Sequence, residues 1–174
     1  MLFRSKDPYV KRILGNILDC DPLAIYSRTP ATIRRLTNGL TTRQLRAAVQ
    51  RGKWPMSHVL IHLCDAEWVV GYRLRKVIAE PGTKIQAYDQ DKWAKHLRYE
   101  KVDPKDSIQL FVALRRANVS LLKKISSREW KRFGIHSERG RETVERMIHM
   151  LAGHDVNHLH QLAALRAYHP RKKR

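Results

Sequence analysis

The chain has 174 residues, of which 43% are hydrophobic, so it is long and apolar enough for one domain with a buried core, and wholesale disorder is excluded. Its 35 Lys and Arg residues against 16 Asp and Glu give a formal net charge of +19. It has no run of 18 apolar residues and no signal-peptide core, and Cys20 and Cys64 are too few for a disulfide framework or a thiolate zinc site. We therefore expect a soluble cytoplasmic protein without a membrane segment.

Turn and cap residues divide the first half of the chain into helical segments. Pro8 suits the first turn of a helix, and Thr29 followed by Pro30 suits an N-cap and the first helical position. A long helix begins at Trp54-Pro55 and is stopped by Glu80-Pro81-Gly82. The predicted helices of this half cover 8–19, 42–49 and 54–79. Between the first two of these lies a run that is broken at Pro22 and Pro30.

The second half shows the same pattern, and no segment shows the alternation and turn dipeptides of a strand. The predicted helices cover 89–97, 104–126 and 142–168, with a basic loop over 131–141. Four long helices joined by connections with short helices indicate an all-α four-helix bundle. We expect a single domain over residues 1–169 and a basic C-terminal tail over 170–174.

The positive charge is distributed along the whole chain, and its one dense spot is the tail, Arg171-Lys-Lys-Arg174. A solvated basic surface is the simpler explanation, because a localised basic stripe would be stronger evidence for a nucleic-acid groove. We expect any binding to nucleic acid to be non-specific and sensitive to salt.

Three histidines fall on the apolar faces of two long helices. His154 and His158 are one helical turn apart, so both imidazoles cover the same patch, and His62 lies on the apolar stripe of another helix. Hydrogen-bonded core histidines are the alternative to a metal site. Because three neutral imidazoles inside a bundle are difficult to satisfy without a metal or charged partners, we predict that His62, His154 and His158 bind one divalent ion.

Other metal templates fit the sequence poorly. The Glu-x-x-His pairs of a di-iron bundle are absent. His154-Asp-Val-Asn-His158 is similar to the zincin motif, but its Asp is too short for the general-base role of Glu.

Three blocks of sequence together resemble the DinB/YfiT-like superfamily over about residues 8–167. They are Trp54-Pro-Met-Ser-His-Val-Leu-Ile-His62-Leu-Cys-Asp65-Ala-Glu67 with Tyr72-Arg73, then Tyr88-Asp89-Gln-Asp91-Lys-Trp93, and Ala152-Gly-His154-Asp-Val-Asn-His158-Leu-His-Gln161. The resemblance implies a four-helix bundle with the three histidines on one divalent metal, for which Zn²⁺ or Ni²⁺ is expected. It also implies a homodimer, and either a thiol S-transferase that uses a low-molecular-weight thiol or a hydrolase.

The chain departs from the pattern at Pro55, where the family usually has a Ser or Thr cap, and at His58, where it often has Glu. His58 is a candidate to hydrogen-bond a metal ligand or to be an extra ligand, or it is simply a partly exposed residue at the helix start. Asp65 is a candidate to orient a ligand imidazole, or an ordinary surface charge.

Arg73 lies on the His62 stripe, where a guanidinium needs an anion. It is a candidate to bind a carboxylate of the substrate or thiol, or else to form a salt bridge with Asp89 or Asp91. The catalytic residues are left unassigned.

Two functions follow from these features. The first is a metal-dependent S-transferase or hydrolase acting on a small-molecule substrate. The second is a non-enzymatic stress-response or binding protein with affinity for polyanions such as nucleic acid, which the net charge favours.

Overall fold

The computed structural model describes residues 7–169, and helices dominate it. The basic tail predicted over 170–174 lies outside the described residues. The helices are α1 (Pro8–Gly15), α2 (Pro22–Thr37), α3 (Thr42–Arg46), α4 (Met56–Ala79), α5 (Gln90–His96), α6 (Pro104–Leu122), α7 (Ser127–Trp130) and α8 (Val144–Ala167). The strands are β1 (Lys84–Ile85), β2 (Phe133–His136) and β3 (Gly140–Thr143). The all-α prediction is confirmed, with four long helices and short ones in the connections.

Three of the helices begin in the same way, with an aspartate cap followed by proline. The carboxylates of Asp7, Asp21 and Asp103 accept hydrogen bonds from backbone N–H groups of the first turns of α1, α2 and α6. Proline suits the first position because its missing N–H would have no helical partner there. These local signals make the starts of α1 and α6 predictable from the sequence, whereas Pro22 was predicted only as a break and in fact begins α2.

The prediction that a helix starts at Pro30 is wrong, because α2 runs through this residue without a break. Proline inside a helix removes the N–H that would bond the carbonyl four residues earlier, here that of Tyr26. That carbonyl instead accepts a hydrogen bond of 2.6 Å from Nη1 of Arg115 on α6. A tertiary donor therefore replaces the helical one, which sequence periodicity could not reveal.

A small sheet lies where the sequence predicted no strand and a basic loop. Strands β2 and β3 form an antiparallel hairpin, and β1 pairs in parallel with β2. Gly134 is required at its place in β2, since a Cβ atom there would lie 2.6 Å from the Ile85 side chain. Strands of two to four residues are too short for a detectable alternation. The hairpin brings Arg139 and Glu142 to the cavity described below.

The core fills the space between the long helices. Helix α2 packs against α6 and α8, and α4 packs against the same two helices from the other side. One apolar cluster contains Leu60, Leu63, Phe111 and Leu162, and a second contains Tyr26, Leu74, Val144 and Leu151. Within residues 7–169, no helix has the length and apolarity needed to cross a bilayer.

Gly153 permits the close approach of α1 to α8. A Cβ atom at this position would lie 2.1 Å from the carbonyl oxygen of Ile13, a backbone atom that cannot move alone. We expect Gly153→Ala to lower the free energy of unfolding by about 1–3 kcal/mol through overpacking. Gly15→Ala is the matched control, since a Cβ atom there meets nothing within 4 Å. Urea denaturation measures both, and equal stabilities of the two variants would contradict the close contact.

Candidate metal centre

The three predicted histidines meet between two helices. Helix α4 carries His62, and one face of α8 carries His154 and His158, so that candidate ligand nitrogens of the three residues lie within 4.8 Å of one another. The Nε2 atoms of His62 and His154 are 3.0 Å apart. Ring centroids are separated by 4.4–5.1 Å. The structure thus brings together all three residues that the sequence assigned to a metal.

Burial keeps these imidazoles in the neutral form. It lowers the pKa of His62 to about 3, and the neighbouring His158 adds to the effect. Burial also holds the pKa of His154 well below its usual range and lowers that of His158. Neutral imidazole is the form that binds metals, because its second nitrogen keeps a lone pair.

The hydrogen bonds of the three rings fit a divalent ion. The Nδ1 atom of His158 lies 2.9 Å from Oε1 of Gln161. Because that oxygen only accepts, the proton sits on Nδ1, and Nε2 keeps its lone pair. The buried Nδ1 atoms of His62 and His154 have no hydrogen-bond partner among residues 7–169. A cluster of neutral imidazole nitrogens that can ligate a metal, with so few hydrogen-bond partners in the protein, has the composition of a three-histidine metal site.

The structure gives Asp65 and His58 partners outside the three histidines. Tyr99 donates a hydrogen bond of 2.5 Å to Oδ2 of Asp65. His58 is half-buried, with its Nδ1 3.4 Å from Oγ of Ser57. Apart from His154 and His158, the Trp54 ring also meets His62 edge-on, with centroids 5.5 Å apart. The roles assigned to His58 and Asp65 as partners of the metal ligands therefore remain predictions without a hydrogen bond to support them.

Arg73 lies on the wall of the cavity and does not pair with the acids proposed for it. It donates a hydrogen bond to the carbonyl of Gln86, and its guanidinium carbon lies 5.9 Å from the centre of the Tyr88 ring. Asp89 instead caps α5 and lies 3.6 Å from Nζ of Lys92. The alternative of a salt bridge from Arg73 to Asp89 or Asp91 is therefore wrong for the described residues.

A cavity of about 330 Å³ opens beside the histidines. Its walls come from α1, α4, α8, the β2–β3 hairpin, the first residue of α5 and the connection that precedes it. It is lined by Tyr9, His62, Ala66, Val70, Arg73, Tyr88, Gln90, Arg139, Glu142, Met147, Met150, Leu151 and His154. Apolar side chains and polar groups together line this concave site, which is typical of a small-molecule site.

A buried polar network next to the histidines was missed by the sequence analysis. Arg115 of α6 donates to Glu67 at 2.9 Å and to Asp155 at 2.6 Å, and all three side chains are 1% exposed or less. Tyr26 and Asn118 donate to the second oxygen of Glu67 at 2.5 and 2.7 Å. Burial opposes the charge of Arg115, but the two carboxylates outweigh it and raise its pKa. The network joins α2, α4, α6 and α8, and Asp155 directly follows His154.

The depressed pKa values of the histidines predict an acid-sensitive metal-free protein. The unfolded state takes up protons near pH 6.5, whereas folded His62 does so only near pH 3. The free energy of unfolding therefore has its full value above about pH 6.5. It falls as the pH drops through this window, by about 1.4 kcal/mol per pH unit for each such histidine. Urea titrations of chelator-treated protein between pH 7.5 and 4.5 measure this slope. His62→Gln reduces it if the assignment is right, and an unchanged slope would contradict it.

The fold and the site together define a class of protein, a four-helix bundle with a three-histidine cluster of metal-binding type. The sequence model of the DinB superfamily matches residues 25–162, and the chain belongs to that superfamily. The resemblance noted in the sequence is thereby confirmed.

Curated relatives and a solved structure agree with this family. A protein of Oceanobacillus iheyensis named "Putative metal-dependent hydrolase OB0782" is 28% identical over 136 residues, which cover 78% of each chain. "Putative metal-dependent hydrolase YfiT" of Bacillus subtilis is 22% identical over 144 residues, covering 82% of this chain and 81% of its own. The solved YfiT structure has a TM-score of 0.77 at 22% identity and covers 84% and 85% of the two chains. It is described as a four-helix bundle of unusual topology, and the likeness shows that this chain has the same fold.

Proposed function

We propose that this protein is a metal-dependent enzyme that activates a thiol or a water molecule for attack on a small molecule. The observation that carries the proposal is the convergence of three neutral imidazoles within 4.8 Å, two of which line a cavity large enough for a substrate. The names of the relatives support metal dependence and hydrolysis for those proteins.

His62, His154 and His158 would hold the ion, with Zn²⁺ or Ni²⁺ expected. When bound there, a divalent ion supplies a Lewis acid that lowers the pKa of a thiol or of water. Three neutral ligands leave its positive charge uncompensated, which favours an anionic nucleophile. They also leave coordination positions open, as catalytic sites require.

The side chains of the protein would prepare this site for the reaction. Burial keeps the imidazoles unprotonated, and Gln161 fixes the tautomer of His158. Val70, Met147 and Leu151 line the cavity next to His62 and His154, where their apolar surfaces limit competing water. The nucleophile would be a low-molecular-weight thiol in an S-transferase and water in a hydrolase.

Turnover by metal-loaded and metal-free protein tests the proposal. The assays are consumption of glutathione with 1-chloro-2,4-dinitrobenzene, and hydrolysis of p-nitrophenyl acetate. We expect turnover in the loaded protein, loss of it after chelation and in His154→Ala, and retention of it in His160→Ala. His160 is a suitable control because it lies on the same helix but is exposed. Equal rates in the loaded, chelated and His154→Ala samples would show that the site is not catalytic.

The second candidate function, a non-enzymatic polyanion-binding protein, is favoured by the net charge of +19. It predicts that the protein retains nucleic acid regardless of its sequence, and that the affinity falls steeply between 50 and 200 mM salt. Such retention together with no metal-dependent turnover would favour this candidate. The homodimer and the cytoplasmic location remain predictions.

A further inference from the structure

The wall of the cavity carries more positive than negative side chains, and this imbalance points to the charge of its ligand. Two guanidinium groups, those of Arg73 and Arg139, lie on the wall, whereas Glu142 is the one carboxylate among the lining residues. Glu142 is already paired with Arg139, from which it accepts two hydrogen bonds at 2.7 and 3.1 Å. One positive charge on the wall therefore has no carboxylate in contact with it among the described residues.

That charge belongs to Arg73. Its hydrogen bond to the Gln86 carbonyl uses one of five N–H donors, and no ion pair links it to an acid within residues 7–169. Burial and the nearby Arg139 lower its pKa, although Glu142 and Glu138 act in the opposite direction. A half-buried guanidinium in such surroundings is stabilised electrostatically when an anion enters the cavity.

The neighbouring groups also suit an anion. Burial raises the pKa of Tyr88 to about 12, so its hydroxyl stays protonated and can donate a hydrogen bond. Tyr9, another lining residue, has Arg12 over its ring, with the guanidinium carbon 5.5 Å from the ring centre. The lining also includes the apolar side chains of Met147 and Met150, which are flexible and adapt to ligands of different shape.

We propose that the cavity binds a small carboxylate with an apolar body, its carboxylate on Arg73 and its apolar part against Met147 and Met150. This assignment rests on the proposed function in one respect only, namely that the reacting end of this molecule lies at the histidines. Binding itself requires no metal. The substrate class of the enzyme is then a short aliphatic or aryl-substituted carboxylic acid.

Calorimetric titration of chelator-treated protein tests the proposal with two matched probes, 4-phenylbutyrate and its neutral amide, 4-phenylbutyramide. We expect the carboxylate to bind about tenfold or more tightly than the amide, because a charge-assisted pair to Arg73 is lost in the amide. Arg73→Gln should remove this preference. Arg116→Gln, which removes an equal charge from an exposed position of α6 outside the cavity, should keep it. Equal affinity for the two probes, or a preference that survives in Arg73→Gln, would overturn the proposal.

A second measurement uses the unmodified chain and does not depend on the folding of a variant. Phenylglyoxal labels accessible arginines, and mass spectrometry reports the labelling of each one. We expect 4-phenylbutyrate, but not the amide, to slow labelling of Arg73 and to leave Arg116 unchanged. Equal protection by both probes, or none, would contradict the anion site. Because both experiments are done without metal, a failure of the proposed catalysis would leave their outcome unaffected.

Discussion

Replacing His158 by Ala is expected to remove most of the bound metal, from about one divalent ion per chain to a small fraction. The ring of His158 lies 4.4 Å from that of His154 and 4.9 Å from that of His62, so its loss takes one of three ligands. Even outer-shell partners of a metal contribute 10–100-fold in affinity, and the loss of a direct ligand should exceed about 100-fold. Elemental analysis after gel filtration in the presence of a weak chelator measures the retained metal.

His149→Ala is the control for this experiment. It removes an imidazole from the same helix, but His149 lies outside the cluster, with its Nδ1 2.9 Å from the carbonyl of Glu145. This variant should keep its metal. Equal loss of metal from both variants would mean that the three-histidine cluster is not the binding site.

Arg115→Met is expected to destabilise the protein by about 3–5 kcal/mol. The substitution keeps much of the side-chain volume but leaves Glu67 and Asp155 buried without their cation. It also leaves the Tyr26 carbonyl without a donor, because Pro30 cannot supply one. Urea denaturation at pH 7.5 gives the change in the free energy of unfolding.

The neighbouring Arg116 supplies a matched comparison, since it is exposed on α6. Arg116→Met should change stability by no more than about 0.5 kcal/mol. If the two variants were equally stable, the buried network would not contribute to the fold as described.

The long helices were predictable because their signals are local. Proline at the first helical position marks the starts of α1 and α6, and apolar periodicity predicts α4 and α8. The start of α2 is the exception, because Pro22 was predicted only to break a run. The three histidines were predictable for the same reason. Two of them are one turn apart on α8, and the third falls on the buried face of α4.

The remaining features depend on contacts between distant parts of the chain. Pro30 is tolerated inside α2 only because Arg115, far away in sequence, satisfies the freed carbonyl. No prediction from the sequence paired Glu67 or Asp155 with Arg115, and only the arrangement of the helices places them around one guanidinium. Strand β1 pairs with β2 across some fifty residues, as Lys84 does with Ile135, which no local pattern shows. The β2–β3 hairpin is local, but its strands of four residues are too short for a detectable alternation.

The metal centre is tested by X-ray absorption spectroscopy of native protein, purified without an affinity tag or chelating column and freed of small thiols. We expect about one Zn²⁺ or Ni²⁺ per chain, with three imidazole nitrogens in its coordination shell and no sulfur. For zinc, these nitrogens lie at about 2.0–2.1 Å. His62→Ala should lose the imidazole signal along with the metal. Protein that binds no divalent ion even after incubation with both metals, or an ion without imidazole ligands, would mean that His62, His154 and His158 do not form a metal centre.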